Sequence, residues 1–285
     1  MKQILLFTFI ALISSSAQLQ ARVVIDKLQL ITSSEIESIN VFRPSRISNQ
    51  KQLPLILNLH GYTNTPRGQH IVMPFKSLVD KKKFILINPA GIRDDKGNTY
   101  WTAENCCGTV KNPNDRRDDV AYLNSIIDAL LVKYPIAIDK IFIAGHSNGG
   151  FMANKLACHP NSRISGIINY AGAGYSRPEN CKVPKPIKVL HIHGNLDTVI
   201  RYDNSSDWHP SALASSLQWV KRNKCDLNFV AGNLASRPRS NKRITTQEWN
   251  NCEDKSKVSL WTILSGSHTE LMSKKLISDI IDYLL

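Results

Sequence analysis

The sequence contains a serine whose neighbours suit it for nucleophilic chemistry. Residues 145–149 read GHSNG, so Ser147 stands at the centre of a G-x-S-x-G pattern. An apolar run over 141–144 precedes the pattern, and a helical pattern over 151–157 follows it. A sharp strand–turn–helix connection needs glycines beside the serine and lifts its hydroxyl above the strand end. The context favours a nucleophile at Ser147, with the backbone N–H of Asn148 as an oxyanion donor, over a passive serine in a glycine-rich turn.

An acid and a base are expected after later strands. A serine hydroxyl attacks poorly until a base takes its proton, and a carboxylate orients that base. Asp197 follows an apolar run over 187–192, and His268 follows a second run, Val258–Ile263. Where a serine stands on such a turn, its partners follow in the order acid, histidine. The order Ser147, Asp197, His268 therefore predicts a catalytic triad built at three strand ends.

Each partner also has a plainer interpretation. An aspartate after a strand often forms a turn or caps a helix, and a histidine in a loop is often only exposed. Asp203 and Asp207 rank second and third as the acid, and His209 is the fallback base, although it precedes the last strand. We favour Asp197 and His268 over these alternatives because they lie together at the ends of successive strands.

Other histidines carry weaker signals. His191 and His193 lie two apart on a predicted strand and so face one side of it. A metal pair is one interpretation, but no third ligand lies at matched spacing, so we expect no metal, one structural histidine and one that lines the site. His60 precedes Gly61 and Tyr62 after the first strong strand. We expect its ring to support an oxyanion loop whose N–H donor belongs to Tyr62.

Alternating strands and helices must position these residues. Short apolar runs that end near Gly or Pro are typical of strands buried on both faces. They cover Leu53–Leu59, 84–87, 141–144, 187–192 and Val258–Ile263. Helical patterns lie at 117–134, 151–157, Ala212–Arg222 and 270–285. The alternation predicts one α/β domain over 22–285, with a mainly parallel sheet covered by helices on both faces, and a polar surface excursion over 226–251.

The N-terminus resembles an export signal. Lys2 precedes an apolar run over 4–13, and small residues follow, with Ala17 and Ala21 as possible cleavage points. A run of this length is too short to span a bilayer, which takes about 20 apolar residues. We therefore predict a signal peptide over 1–21, no membrane span, and a secreted or periplasmic protein.

Six cysteines follow the predicted signal. An even number in an exported chain indicates disulfides. Neighbours in sequence are expected to pair, as Cys158–Cys181 and Cys225–Cys252. The adjacent cysteines at 106–107 either bridge each other or stay free. A zinc site is disfavoured because no C-x-x-C pair exists.

Composition excludes several classes of protein. Of 285 residues, 42% are hydrophobic and 21% charged, which excludes disordered, collagen-like and coiled-coil chains. Lys and Arg number 36 against 23 Asp and Glu, a net charge of +13. This excess permits an anionic partner without identifying it. A non-catalytic exported binder of an anionic polymer is thus the alternative function, supported by basic clusters at 221–224 and 237–243; no nucleic-acid motif occurs.

Four segments resemble one family. They are LNLHGYTNT, WTAENCC, RRDDVAYLNSIIDALLVKYPIAIDKIFIAGHSNGGFMANKLAC and VLHIHGNLDTVIRYD. They resemble the secreted esterases that include polyhydroxybutyrate depolymerases and feruloyl or acetylxylan esterases. Three residues depart from that family: Glu270-Leu271 stands where Trp-Pro often follows the catalytic His-Thr, and Arg201 stands where proline is common.

The resemblance implies an α/β-hydrolase fold and serine ester hydrolysis without a cofactor. Residue by residue, it places the nucleophile at Ser147, the acid at Asp197 and the base at His268. The partner would be an ester: a polyester, a feruloylated or acetylated polysaccharide, or a small ester. From the residues themselves, Trp101 and Trp208 are candidate substrate walls, with ordinary packing as the alternative.

Overall fold

The structure is a computed structural model that describes residues 23–31, 36–48, 51–104, 106–108 and 116–285. The expected signal over 1–21 lies outside the described residues. In the ranges that are described, we find no helix of the length and apolar character needed to cross a membrane.

Most described strands form one large sheet. The strands are β1 (Val24–Ile31), β2 (Ile36–Arg43), β3 (Leu53–Leu59), β4 (Ile85–Ile87), β5 (Ile92–Arg93), β6 (Thr99–Tyr100), β7 (Ile136–His146), β8 (Gly166–Tyr170), β9 (Lys188–Gly194), β10 (Val230–Leu234), β11 (Ile244–Trp249) and β12 (Val258–Ile263). Ten of them pair in the order β1-β2-β4-β3-β7-β8-β9-β12-β11-β10, and β5 and β6 form a separate hairpin. The six central strands, β4 to β12 in that order, run parallel, and the two strands at each edge pair antiparallel.

Helices cover both faces of the sheet. They are α1 (Pro66–Val72), α2 (Val79–Lys82), α3 (Asp119–Lys133), α4 (Asn148–Ala157), α5 (Ala212–Arg222) and α6 (Lys274–Leu284). Along β3, Leu55 and Leu57 pack into one core with residues of α3, α4 and α5, while Ile56 packs into a second core with residues of α6. This alternation is why the central strands appear as continuous apolar runs. The predicted mainly parallel sheet with helices on both faces is confirmed.

The segment 226–251 is closed by the Cys225–Cys252 disulfide, as the prediction of a surface excursion requires, but its predicted lack of regular structure is wrong, because it contains β10 and β11. Residues of β10 are exposed or half-buried throughout, and β11 mixes buried with half-buried positions. Edge strands of this kind lack the apolar run by which a buried strand is recognised. The last helix is also shorter than its pattern: the side chain of Ser273 accepts from the Leu276 N–H and caps α6, so 265–272 form a loop.

The described cysteines form three disulfides. Cys158 bonds to Cys181 and Cys225 to Cys252, as their neighbourhood in sequence predicts. The adjacent cysteines at 106–107 bridge each other. The first bridge ties the end of α4 to the loop before β9, and the second ties the end of α5 to the loop before β12.

Removing the Cys158–Cys181 bridge should destabilise the fold. The two residues are 23 apart, and releasing a loop of this length gives the unfolded chain more freedom. We expect Cys158→Ser/Cys181→Ser to lower the free energy of unfolding by about 3 kcal/mol in urea titrations. Under reducing conditions the wild type and the variant should unfold at similar urea concentrations. A variant as stable as the oxidised wild type would contradict a stapling role.

Candidate active site

The chain turns sharply at Ser147. Strand β7 ends at His146 and α4 begins at Asn148, so Ser147 is the single residue between them, with φ 54°. The left-handed region costs a residue with a side chain about 1–3 kcal/mol, so the surroundings must hold it there. The Ser147 N–H donates to the Tyr170 carbonyl at 2.8 Å, which ties the turn to the end of β8.

Glycines on either side of Ser147 allow close backbone contacts. A Cβ on Gly145 would lie 2.0 Å from the Gly149 carbonyl oxygen. A Cβ on Gly149 would lie 2.5 Å and 2.6 Å from the carbonyl oxygens of Leu59 and His60. No side chain fits at these distances, so both glycines are needed for α4 to pack against β7 and the end of β3.

Asp197 and His268 meet at neighbouring strand ends. Strands β9 and β12 run parallel in adjacent positions, with Gly194 opposite Ile263, so the loops that follow them lie side by side. Within these loops, Asn195 Oδ1 accepts from the Ser265 N–H at 2.6 Å. His268 Nδ1 lies 2.7 Å from Asp197 Oδ2. The lower-ranked carboxylate of Asp203 instead accepts from Ser205 in an exposed turn.

The carboxylate of Asp197 is buried and saturated with donors. Its Oδ1 accepts from the backbone N–H groups of Val199 at 2.8 Å and Ile200 at 3.0 Å. Its Oδ2 also lies 3.1 Å from His193 Nε2. Burial alone raises the pKa of Asp197, but the hydrogen bonds from His193 and His268 outweigh it and hold that pKa below its ordinary value. Asp197 is therefore ionised at neutral pH.

The pair His191 and His193 supports Asp197. Both side chains are 1% exposed, so the expectation that one of them lines the site is wrong. His193 Nε2 also lies 2.8 Å from the Ile200 carbonyl, so this nitrogen carries a proton, and His193 Nδ1 lies 3.1 Å from His191 Nε2. Over the described residues, no group of three or more His, Cys, Asp or Glu has the geometry to hold a metal ion.

His268 lies against the serine turn. Its ring centroid is 5.0 Å from that of His146, and its carbonyl oxygen is 3.1 Å from His146 Nε2. Burial, reinforced by the neighbouring His268, lowers the pKa of His146 to about 3, so His146 is neutral. Among the described residues, the His268 ring is hydrogen-bonded to Asp197 and not to Ser147 Oγ.

The segment after β3 faces Ser147. A Cβ on Gly61 would lie 3.3 Å from Ser147 Cβ, which places the Gly61–Tyr62 backbone against the turn. The backbone N–H groups of Tyr62 and Asn148 have no acceptor within the described part of the chain. Free N–H groups beside a serine hydroxyl form an anion-binding niche.

Side chains hold that segment in place. Tyr62 Oη donates to Asp94 Oδ2 at 2.7 Å, and the Thr63 N–H donates to the Thr99 carbonyl at 2.9 Å. His60 Nδ1 lies 2.8 Å from the Gly61 carbonyl, and its Nε2 accepts from the Gly91 N–H at 2.9 Å. Burial lowers the pKa of His60, so its ring is neutral and bridges the loops after β3 and β4.

Trp101 is buried beneath the site, which corrects its predicted role as a substrate wall. Its side chain is 0% exposed, and its indole N–H donates to the His60 carbonyl at 2.9 Å. The Trp101 backbone is held on both sides by the Asn148 amide: Oδ1 accepts from its N–H at 2.7 Å, and Nδ2 donates to its carbonyl at 3.1 Å. A fully buried indole cannot touch a substrate, so Trp101 supports the loops from below.

Trp208 remains a candidate contact. Its side chain is 38% exposed and stacks on Phe151 of α4, with ring centroids 5.8 Å apart. Phe151 lies about one turn after Ser147, so Trp208 packs on the first turn of the helix that begins at the serine turn. The fallback base His209 packs edge-on against Trp208 and lies 3.0 Å from the Pro210 carbonyl.

Glu270 lies in the same loop as His268, and the sequence did not assign it a role. Its carboxylate accepts from the backbone N–H of Ser267, and both residues flank His268. One feature of the sequence could have indicated Glu270: it stands where the family that the chain resembles often has the Trp of a Trp-Pro pair.

The chain matches one sequence family and is similar to several known proteins. Residues 46–232 match the sequence family described as phospholipase/carboxylesterase. A bifunctional acetylxylan esterase/xylanase from Neocallimastix patriciarum is 25% identical over 164 residues, which are 58% of this chain and 22% of that protein. Feruloyl esterase B from Piromyces equi is 23% identical over 230 residues, 80% of this chain and 41% of that protein. The chain thus spans less than half the length of these relatives.

Solved structures show the same fold at low identity. An acetyl xylan esterase from Aspergillus awamori superposes with a TM-score of 0.60 at 14% identity, over 86% of this chain and 93% of that one. A ferulic acid esterase from Anaeromyces mucronatus superposes with a TM-score of 0.56 at 12% identity, over 92% and 89%.

The hydrogen bonds of Asp197 should change how the free energy of unfolding depends on pH in the acidic range. A carboxylate whose pKa is lower in the folded chain stabilises the fold above its unfolded pKa of about 3.9, and that contribution is lost as the pH falls through the folded value. We expect Asp197→Asn to be less stable than wild type at pH 7 and to lose less stability between about pH 5 and pH 2. Urea unfolding at pH 7 and across the acidic range measures both the stability at neutral pH and its loss on acidification.

The matched control is Asp128→Asn, which removes a largely exposed carboxylate that pairs with Arg163. It should follow the wild-type profile closely, because exposed ion pairs contribute little. Parallel profiles for wild type and Asp197→Asn would show that Asp197 is not held as a buried carboxylate.

Proposed function

The chain belongs to the phospholipase/carboxylesterase family and has the α/β-hydrolase fold, and from that premise we propose that it is a serine carboxylic-ester hydrolase. The nucleophile is Ser147, the base His268 and the acid Asp197. The observation that carries the proposal is the 2.7 Å contact between His268 Nδ1 and a buried, ionised Asp197, at the strand end beside the strained serine turn.

The hydrogen bond fixes the tautomer of the base. With the His268 Nδ1 proton donated to Asp197, Nε2 is unprotonated and free to accept the Ser147 proton. The serine oxygen then attacks the ester carbonyl, and the N–H groups of Tyr62 and Asn148 bind the resulting oxyanion. His268 passes its proton to the leaving alcohol. A water molecule, activated in the same way, releases the acid from the acyl-enzyme, so the cycle needs no cofactor.

The names of the relatives direct the choice of substrate. Acetylxylan and feruloyl esterases act on acetyl or feruloyl esters, so we propose that the chain cleaves an acyl ester of this kind. A polyhydroxybutyrate-type polyester is the second candidate, and it rests only on the sequence resemblance. Export is part of the proposal, since disulfides persist in oxidising compartments.

Replacing the nucleophile should abolish hydrolysis. We expect Ser147→Ala to lower kcat by about 10⁴–10⁶-fold on methyl ferulate, p-nitrophenyl acetate and a hydroxybutyrate oligomer, whichever of them the wild type cleaves. The control is Ser162→Ala, a serine of similar burial, 8% exposed against 7%, which should keep wild-type rates.

A fluorophosphonate probe separates the enzyme from the alternative, a non-catalytic binder of an anionic polymer. The probe should label wild type and Ser162→Ala at one site and leave Ser147→Ala unlabelled. A wild-type protein that neither reacts with the probe nor cleaves any of the three esters would favour the binder.

Trp208 should favour aromatic acyl groups. Aromatic contacts contribute about 0.5–1.5 kcal/mol beyond burial, so Trp208→Ala should raise KM for methyl ferulate about 3- to 10-fold and change that for p-nitrophenyl acetate less. Leu213→Ala is the control, because Leu213 is 41% exposed and lies nearby in sequence on α5. Equal effects of Trp208→Ala on both esters would contradict a feruloyl contact.

A further inference from the structure

Glu270 is the one acidic residue in the loop over 264–273, which carries His268, and both of its carboxylate oxygens accept hydrogen bonds. Its side chain is 5% exposed, although it lies in a loop between a strand and a helix. Oε1 accepts from the N–H and the hydroxyl of Ser267, each at 3.0 Å, and from Lys242 Nζ at 2.6 Å. Oε2 accepts from Ser240 Oγ at 2.6 Å. The bond to Ser267 closes a short turn whose second residue is His268.

The charge of Glu270 is stable over a wide pH range. Burial raises the pKa of Glu270, but the hydrogen bonds from Lys242, Ser240 and Ser267 outweigh it and lower that pKa to about 2. The carboxylate thus stays ionised wherever the proposed hydrolysis runs. Charge-assisted hydrogen bonds are shorter and stronger than neutral ones, so they hold the turn in one geometry.

The backbone of Glu270 connects this turn to the nucleophile. Tyr170 Oη donates to the Glu270 carbonyl at 2.9 Å and accepts from the Glu270 N–H. The Tyr170 ring lies 4.8 Å from that of His146, and the Tyr170 carbonyl accepts from the Ser147 N–H. Glu270 therefore bonds both to the turn that holds His268 and to the strand end that supports Ser147.

A second loop is bound through the same carboxylate. Lys242 and Ser240 belong to the connection between β10 and β11, far from Glu270 in sequence. Backbone bonds reinforce the contact, from the Arg239 N–H to the Leu271 carbonyl at 2.7 Å and from the Leu264 N–H to the Arg243 carbonyl at 2.9 Å. One member of the basic cluster, Lys242, is therefore a structural cation.

We propose that Glu270, held by Lys242, is a positioning residue that fixes the His268 imidazole between Asp197 and Ser147. This inference rests on the proposed function. Glu270 touches neither the substrate nor the reacting atoms, and it acts by preventing the turn over 267–270 from shifting. A displacement of about 1 Å of a catalytic group can cost about 10²-fold in rate, so a carboxylate that prevents it has a measurable effect.

The test compares Glu270→Ala, Glu270→Gln and Lys242→Met with a matched control. The control is Glu253→Gln, which removes the same charge from a carboxylate that also lies 2.6 Å from a lysine, Lys224, in an exposed pair. Lys242→Met keeps Glu270 and alters only the half-buried cation, so it serves if Glu270→Ala does not fold.

The first readout is kcat for each active site, counted by fluorophosphonate titration so that unfolded protein does not contribute. We expect Glu270→Ala to lower kcat about 10- to 100-fold with KM within about twofold. Glu270→Gln and Lys242→Met should fall between Glu270→Ala and wild type, and Glu253→Gln should equal wild type. Wild-type kcat per titrated site in Glu270→Ala, or in Lys242→Met, would overturn the proposal.

The second readout does not depend on ester hydrolysis. The proton shared by His268 Nδ1 and Asp197 should give a strongly downfield proton NMR signal in wild type and in Glu253→Gln. In Glu270→Gln and Lys242→Met the signal should broaden or disappear at the same temperature. If wild type lacks esterase activity but the signal responds in this way, the proposed function fails and the positioning role stands. An unchanged signal in all variants rejects the positioning role.

Discussion

The carboxylate of Asp197 is the charge around which the site is organised. A buried anion costs several kcal/mol unless its oxygens are satisfied, so the fold must bring donors to it. Two come from its own turn, through Val199 and Ile200, and two come from the imidazoles of His193 and His268. The same bonds that make the buried charge tolerable therefore fix the orientation of His268. The hydrogen bonds of Asp197 thus contribute both to the stability of the fold and to the arrangement of the site.

The parallel sheet is what lets distant segments meet at this charge. Strands β3, β7, β9 and β12 end at the same edge, so their loops converge although they are separated by long stretches of chain. The sequence was sufficient to predict this much, since the bounds of β3 and β12 match their apolar runs. The order of Ser147, Asp197 and His268 along the chain was also enough to predict a triad, because each of them follows one of those strands.

Interactions between residues distant in sequence could not be predicted in this way. Trp101 is an unremarkable aromatic in sequence, and only the loop contacts with His60 and Asn148 bury it. Strands β10 and β11 carry no apolar run, because an edge strand buries little of its surface. Glu270 and Lys242 are 28 positions apart, and nothing in local composition indicates that one neutralises the other. Propensity and periodicity predict single helices and strands, whereas these features depend on contacts between two segments that are distant in sequence.

Glu270 holds the loop that carries His268 through hydrogen bonds. Packing restrains a loop without fixing the direction of any one bond, whereas a carboxylate that accepts four hydrogen bonds fixes several directions at once. The desolvation of Glu270 is offset by Lys242, Ser240 and Ser267. Tyr170 bonds both to the backbone of Glu270 and to the N–H of Ser147, so the turn at 267–270 is tied to the serine turn as well as to the sheet. Two buried carboxylates thus contact the segment around His268: Asp197 bonds to its imidazole, and Glu270 bonds to the turn that carries it.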